Sequence, residues 1–161
     1  MKTDQSLEAA LKAVEGFKNS GEKVVFTNGC FDIIHPGHVA YLEEARSKGD
    51  RLVVALNSDD SVKRLNYKDP GRPIQNENAR LSVIRGLRSV DCAFLFHEDT
   101  PIEVIEAISP DVLVKGGDWK PEDIVGSEHV LSNDGQVLSL SFLEGYSTTS
   151  IVKKIQSLPK N

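Results

Sequence analysis

Apolar residues recur along the chain with two alternating periods, and each period predicts a different kind of element. Leu7, Leu11, Val14 and Phe17 follow the spacing of one helical face, which predicts a helix over residues 3–19. Short apolar runs rich in β-branched residues predict strands at residues 23–28, 51–56, 92–96, 111–114 and 136–142. Residues 130–131, just before an Asn-Asp-Gly turn, also fit a strand ending.

Helical patterns and turn residues lie between these runs. They predict helices over residues 37–48, 76–88, 100–108 and 147–158, a short capped helix that ends at residue 65, and a helical turn at 121–125. Thr100-Pro101-Ile102-Glu103 has the capping-box pattern with proline at the first helical position. Residues 66–75 show no periodicity, which predicts a mobile loop.

Strands that alternate with helices predict an α/β fold with a parallel sheet and right-handed crossovers. We interpret residues 1–161 as a single domain, with an N-terminal helix in 1–20 and the core in 21–157. Ligands of such sheets bind beyond the carboxyl ends of the strands, where the strand order reverses. The polar or glycine-containing segments 27–38, 57–68, 115–120 and 143–149 follow predicted strands, so we expect them to converge on one cleft.

Composition excludes several classes of partner. The formal net charge is −5, which argues against non-specific binding of nucleic acid or of a membrane surface. The sequence contains no apolar run long enough for a membrane span, and its first residues lack the apolar core of a signal peptide. Cys30 and Cys92 have no metal-binding spacing. These features predict a cytoplasmic protein without a structural zinc site or a disulfide framework.

The most informative segment joins the first core strand to the next helix. It reads Asn28-Gly29-Cys30-Phe31-Asp32, followed by His35-Pro36-Gly37-His38. The two histidines are three residues apart, which places them on one side of the incipient helix, while glycine lets the backbone approach an anion closely. The motif therefore predicts a site for a nucleotide polyphosphate. The alternative is that one histidine packs in the core and the other caps the helix.

Gly29-Cys30-Phe31-Asp32 followed by His35-x-Gly37-His38 resembles the signature of the cytidylyltransferase-like nucleotidyltransferases. Residues 115–119 and 144–149 resemble two further segments of that family. Over about residues 20–157 the chain is most similar to the adenylyltransferases that form ADP-heptose for lipopolysaccharide. The resemblance implies a Rossmann-like three-layer sandwich of about five parallel strands with helices on both faces. It also implies transfer of AMP from ATP to D-glycero-β-D-manno-heptose 1-phosphate, with release of pyrophosphate.

The resemblance also implies roles for individual residues. The catalytic groups would be His35 and His38, which would hold the triphosphate and stabilise the departing pyrophosphate. The nucleotide would be contacted by Asn28, Gly29, Cys30, Phe31, Gly37, Arg80, Asp118, Ser147, Thr148 and Thr149. The acceptor would be bound from among Asp32, Lys63, Arg64, Lys68 and Lys115.

Two positions depart from patterns in the family. Cys30 stands where many members have a serine or threonine, and a thiol is a weaker hydrogen-bond donor than a hydroxyl. We therefore expect the backbone N–H at this position to make most of the contact. Phe142 and Leu143 occupy the place of an arginine found in polyol-phosphate cytidylyltransferases, which disfavours that activity. His97 and His129 belong to no motif, and we interpret both as structural.

Alternatives to the adenylyltransferase remain open. One is a nucleotidyltransferase that uses CTP or another acceptor, such as a polyol phosphate. A nucleotide-binding regulatory module without turnover is another. We expect Mg²⁺ to be held mainly by the ATP phosphates, because the sequence has no clustered carboxylate site for a metal. The resemblance further implies a homodimer, and a stand-alone form that works with a separate heptose-7-phosphate kinase.

Overall fold

A computed structural model describes residues 6–65 and 71–159 of the chain. Five strands form one parallel sheet in the order β3-β2-β1-β4-β5. The strands are β1 (Val24–Gly29), β2 (Arg51–Asn57), β3 (Cys92–Phe96), β4 (Val112–Gly116) and β5 (Gln136–Leu140). The strand order reverses between β1 and β4, as expected for a doubly wound sheet with its ligand crevice at that point.

Seven helices of the described residues surround the sheet. They are α1 (Leu7–Asn19), α2 (Pro36–Arg46), α3 (Asp59–Leu65), α4 (Glu77–Arg85), α5 (Ile102–Ile108), α6 (Ser127–Ser132) and α7 (Thr148–Gln156). A short 3₁₀ turn covers Pro121–Asp123. The side chains of Ser6, Asn76 and Ser147 cap α1, α4 and α7 by accepting from backbone N–H groups. No helix in the described part of the chain combines the length and apolarity needed to cross a bilayer.

Two apolar cores lie on opposite faces of the sheet, because successive strand residues point to opposite sides. Phe26 and Leu113 share one face with residues of α1, α5 and α6. Val25 and Val114 share the other face with residues of α2 and α4. The predicted three-layer α/β sandwich with helices on both faces is therefore confirmed.

The two central strands separate towards their carboxyl ends. β1 pairs with β2 over six residue pairs, but with β4 only at Val25–Val112 and Phe26–Leu113. Beyond this point, the hydroxyl of Tyr41 from α2 lies 2.7 Å from Oγ1 of Thr27 and donates to the carbonyl of Val114 at 3.4 Å. The crevice therefore opens between the carboxyl ends of β1 and β4, the strands that lead into the predicted motifs.

The structure corrects two local predictions and describes part of a third. Residues 130–131 lie in α6 rather than in a strand, because Val130 packs into the core from a helix. Helix α5 begins after Pro101, and no side chain caps its N-terminus, so the predicted capping box is wrong. Of the predicted mobile loop, residues 66–70 lie outside the described residues. The remainder is held by hydrogen bonds to Asp32.

Candidate active site

His35 and His38 lie at the start of α2, directly beyond the carboxyl end of β1. His35 is the N-cap residue, and its carbonyl accepts from the backbone N–H of His38 at 2.9 Å. The two imidazole rings stack with their centroids 3.9 Å apart. Their Nδ1 atoms are both buried and have no hydrogen-bond partner among the described residues. Buried polar atoms are nearly always satisfied in folded proteins, so these two nitrogens are candidate contacts for a ligand.

Both histidines are held in the neutral form. Burial, together with a smaller effect of the neighbouring imidazole of His35, lowers the pKa of His38 to about 4. Burial also lowers the pKa of His35 below its usual value. A neutral imidazole offers one N–H donor and one acceptor, so each ring could donate one hydrogen bond to a phosphate oxygen without being charged beforehand.

Two adjoining cavities meet at the histidine pair. The inner cavity, of about 200 Å³, is lined by Asn28, Gly29, Cys30, Phe31, Gly37, His38, Tyr41, Lys115, Gly116 and Phe142. The outer cavity, of about 250 Å³, is lined by His35, Gly37, His38, Phe142, Leu143, Tyr146, Ser147 and Thr148. Both cavities touch His38, so a ligand that fills them would contact this residue from each cavity.

Glycine at position 37 is explained by packing. A Cβ atom there would lie 3.0 Å from the ring of His35 and 3.4 Å from Cβ of Tyr146. Contacts this short require a neighbour to shift, so a side chain at this position would disturb the histidine pair. The role predicted for Gly37, close approach of the backbone to phosphate, stays a prediction.

The N-terminus of α7 faces the same place as the histidines. Ser147 caps the helix, and Thr148 donates through Oγ1 to the carbonyl of Ile33 at 3.5 Å. Both residues line the outer cavity together with His35. The structure thus brings the segments 27–38 and 143–149 together, although 115 residues separate Thr148 from Ile33. The start of α7 adds a partial positive charge to the cavity.

Lys115, at the end of β4, lies between the inner cavity and a third one. This side cavity, of about 200 Å³, is lined by Asn28, Pro101, Lys115, Trp119, Asp123, Ile124 and Val125. Burial lowers the pKa of Lys115 below its usual value, and the nearby thiol of Cys30 opposes that shift. The ammonium group is therefore the cation that the described residues place at the junction of these two cavities.

Cys30 lines the inner cavity, but its thiol already has a partner. Its Sγ lies 3.9 Å from Oδ1 of Asn57, at the end of β2. Burial raises the pKa of the thiol above its usual value. A neutral thiol is neither an activated nucleophile nor a strong donor, which agrees with the expectation that the backbone makes the contact at this position.

Asp32 does not face the cavities, contrary to its predicted role in binding the acceptor. The residue is almost fully buried, and its carboxylate accepts from Nε of Arg72 at 2.7 Å. It also accepts from the backbone N–H groups of Ile74 and Gln75, both at 2.8 Å. Asp32 therefore fastens the segment before α4 to the turn that follows β1, and its carboxylate makes no hydrogen bond or ion pair with His35.

Arg80 is likewise buried rather than directed at a ligand. Its guanidinium is bonded to backbone carbonyls and to one carboxylate, and it lines none of the three cavities. Burial behind the loop explains the difference from the sequence-based prediction of a nucleotide contact. Any effect of Arg80 on the cavities is therefore indirect, through the residues to which it is hydrogen-bonded.

Several other predicted site residues lie away from the cavities. Lys63 pairs with Asp60 at 3.2 Å within α3, and Arg64 pairs at 2.5 Å with Asp99, which follows β3. Asp118 and Thr149 are exposed and line none of the three cavities. Lys68 lies outside the described residues. Of the predicted acceptor-binding residues that the structure describes, Lys115 is the one that lines any of these three cavities.

Sequence reasoning missed several residues of the site. Tyr41 carried a signal, because it follows His38 by three residues on the same helical face. Tyr146 directly precedes the hydroxyl cluster, and its ring lies parallel to that of His35 at 6.5 Å. Phe142 lines both the inner and the outer cavity, with 63% of its surface exposed. Arg72 had no signal, since its partner lies 40 residues earlier in the chain.

Comparisons with known proteins agree with this geometry. The bifunctional protein HldE of Haemophilus ducreyi is 59% identical over 141 residues, which cover 88% of this chain and 29% of that protein. HldE of Pasteurella multocida is 57% identical over 152 residues, covering 94% of this chain and 32% of the relative. The chain therefore spans about a third of the length of these curated relatives.

Solved structures show the same fold. A lipopolysaccharide core biosynthesis protein from Thermoplasma volcanium matches with a TM-score of 0.60 and 31% identity, covering 79% of this chain and 100% of that one. Pantothenate synthetase from Thermus thermophilus matches with a TM-score of 0.55 at 15% identity, covering 95% and 70%, a likeness of fold alone. The family model described as cytidylyltransferase-like matches residues 26–154, which include the histidine pair and most of α7. The chain belongs to the cytidylyltransferase-like family.

Proposed function

We propose that this protein transfers AMP from ATP to D-glycero-β-D-manno-heptose 1-phosphate, forming ADP-heptose and pyrophosphate. The observation that carries the proposal is the convergence of two unpartnered imidazole nitrogens and the N-terminus of α7 on one cavity. The close relatives named HldE and the sequence resemblance to ADP-heptose-forming adenylyltransferases support the choice of nucleotide and acceptor.

The chemistry that the site has to perform is mainly positioning. The phosphate of the acceptor is anionic near neutral pH, so it needs no general base to become a nucleophile. Repulsion between two polyanions and the in-line placement of the attacking oxygen are the barriers to reaction. Donors that are fixed before the reaction lower such a barrier effectively, because they need not reorganise as charge develops.

Each element of the cleft would then have a definite task. His35 and His38 would donate to the oxygens of the β- and γ-phosphates and stabilise the departing pyrophosphate. Ser147 and Thr148, with the start of α7, would hold the same triphosphate from the opposite side. Lys115 would attract the phosphate of the acceptor, since it lies where the inner and side cavities meet.

Mg²⁺ fits this site as a companion of the nucleotide. No group of three or more His, Cys, Asp or Glu side chains lies close enough to hold a metal in the described part of the chain. The inner and outer cavities are lined by no Asp or Glu side chain, and Mg²⁺ prefers carboxylate, phosphate and water oxygens. The ion would therefore be held by the phosphates and water, where it neutralises part of their charge.

The decisive experiment offers ATP or CTP with a panel of sugar phosphates and polyol phosphates to the purified protein. We expect pyrophosphate release with ATP and heptose 1-phosphate, and a product with the mass of ADP-heptose. Release with CTP and a polyol phosphate instead would establish the alternative transferase, which Phe142 and Leu143 disfavour. Nucleotide binding without pyrophosphate release for any acceptor would identify a regulatory module.

The proposal also includes a kinase activity that supplies the acceptor, and a homodimer. A heptose-7-phosphate kinase activity would supply the acceptor, consistent with relatives that are named bifunctional. The homodimer expected from the resemblance stays a prediction, and light scattering of the purified protein measures it directly.

A further inference from the structure

Arg80 lies outside the cavities, yet it is tied to the turn that lines them. Its side chain is 0% exposed. Nη1 donates to the carbonyl of Cys30 at 2.5 Å, and Nε donates to the carbonyl of Gln75 at 3.1 Å. Nη2 donates to the carbonyl of Asn57 at 2.7 Å and to the carboxylate of Asp59 at 2.8 Å. One guanidinium thus joins the turn after β1, the end of β2, the start of α3 and the segment before α4.

The bond to Cys30 fixes the orientation of a peptide group in the wall of the inner cavity. In a trans peptide the N–H points opposite to the C=O, so a Cys30 carbonyl that faces Arg80 turns the N–H of Phe31 away from Arg80. Phe31 adopts a φ of +47°, in the left-handed region that non-glycine residues rarely occupy. Neither the N–H of Cys30 nor that of Phe31 donates to another described residue.

We infer that Arg80 is a positioning residue that presents the backbone N–H groups of Cys30 and Phe31 to a phosphate oxygen in the inner cavity. Successive free N–H groups around a left-handed residue form a concave binding site for anions. Arg80 acts only through the carbonyl of Cys30 and makes no contact with the nucleotide. This inference rests on the proposed function, because the anion it names is a phosphate of the nucleotide.

The residue type supports this role. Arginine has five donors in a rigid planar fork, whereas lysine has a single ammonium group on a flexible chain. A lysine at position 80 would keep the charge but could not reach all four acceptors in their present directions. The carbonyl of Cys30 would then be free to rotate, and the strained backbone of Phe31 would relax with it.

Arg85 provides a matched control on the same helix. Its Nε and Nη2 donate to the carbonyl of Ala93 at 2.9 and 2.7 Å, which is also an arginine-to-backbone contact. Ala93 lies in β3, away from the three cavities. A purely structural role for Arg80 predicts that lysine at either position lowers stability and leaves the activity per folded molecule unchanged.

The experiment compares Arg80→Lys and Arg85→Lys with the wild-type protein. We expect Arg80→Lys to lower kcat/KM for ATP about 100-fold, a loss typical of one misplaced preorganised donor, and Arg85→Lys to leave it unchanged. Thermal unfolding measures the loss of stability of each variant separately. Amide NMR supplies a readout without turnover, in which inorganic pyrophosphate shifts the Phe31 resonance in the wild type and in Arg85→Lys but not in Arg80→Lys.

The outcomes separate this inference from the proposed function. Equal kcat/KM and an equal response of Phe31 in the two variants would overturn the role of Arg80. A wild type that releases no pyrophosphate with any acceptor would refute the proposed function, while the Phe31 response still tests the positioning. If Arg80→Lys does not fold, the amide spectrum of the wild type is the test. A pyrophosphate-induced shift of the Phe31 amide supports the inference. A Phe31 amide that does not shift while the His38 amide does would overturn it.

Discussion

The two halves of the candidate phosphate site are built in opposite ways. The phosphate turn, residues 29–38, is fixed from behind by Asp32 and Arg80, whose side chains are both buried and fully engaged. The C-terminal arm, residues 142–156, contributes no buried residue from α7. Apart from the adjacent Ser157, the described chain meets the side chains of this arm through one hydrogen bond, from Thr148 to the carbonyl of Ile33.

This contrast shows which half of the site holds its hydrogen-bond donors rigidly. Donors held by buried polar networks cannot reorganise cheaply, because breaking such a network leaves buried charges without partners. A helix without buried side chains gains little stability from packing and can adjust its position. The phosphate turn is therefore the preformed half of the site, and the arm is the half whose position a bound ligand would fix.

The largest expected effect is on the phosphate turn. His38→Ala removes a preorganised donor and should lower kcat about 10²–10³-fold, or about 3–4 kcal/mol of barrier. Timed pyrophosphate release measures it, with the exposed His97→Ala as the matched control. A rate near that of the control would remove His38 from the mechanism.

Asp32→Ala tests the support behind the turn. Removing the carboxylate leaves the partly buried guanidinium of Arg72 and two backbone N–H groups without their acceptor, and should destabilise the fold by about 3 kcal/mol. Urea denaturation measures the change. Asp60→Ala, which removes an exposed partner of Lys63, should change stability by less than about 1 kcal/mol. Equal losses in the two variants would contradict the proposed rigidity.

The histidine pair also predicts how stability depends on pH. The pKa of His38 is about 4 in the folded protein, below the ordinary value of 6.5. Between these values the unfolded chain binds a proton that the folded protein does not, so stability should fall as the pH drops from about 6.5 to 4. Urea midpoints at pH 7 and pH 5 measure the slope. His38→Asn should flatten it, and an unchanged slope would show that other groups cause it.

The smallest effects are expected on the arm. Thr148→Val removes a hydroxyl but keeps its shape, and should raise KM for ATP several-fold with little change in kcat, about 1 kcal/mol of binding. Initial rates at varied ATP concentration separate the two constants. Ser150→Ala serves as the control, since its hydroxyl bonds the carbonyl of Ser147 within the arm. A drop in kcat as large as that for His38→Ala would abolish the distinction between the two halves.

The sheet could be predicted from sequence because its strands are covered on both faces and therefore read as continuous apolar runs. The strand predicted at Val130–Leu131 is wrong, because so short an apolar pair fits a helix or a strand equally well. Family motifs identify His35 and Ser147 as candidate site residues, and their roles stay predictions. The partners of Asp32 lie 40–43 residues away, and Arg80 bonds the carbonyl of Cys30 from 50 residues away. No local period in the sequence records such contacts, so the sequence alone favours a ligand as the partner of both side chains.

The short ladder between β1 and β4 has a consequence for the whole molecule. In the described part of the chain, the ladder that joins the three-stranded half β3-β2-β1 to the two-stranded half β4-β5 has two residue pairs, compared with six between β1 and β2. The inner cavity lies across that seam, with Asn28 on one margin and Lys115 on the other. A ligand bound in this cavity would contact both halves of the sheet and hold them together. Ligand binding should therefore slow amide hydrogen exchange at Val114 as well as at the residues that contact the ligand.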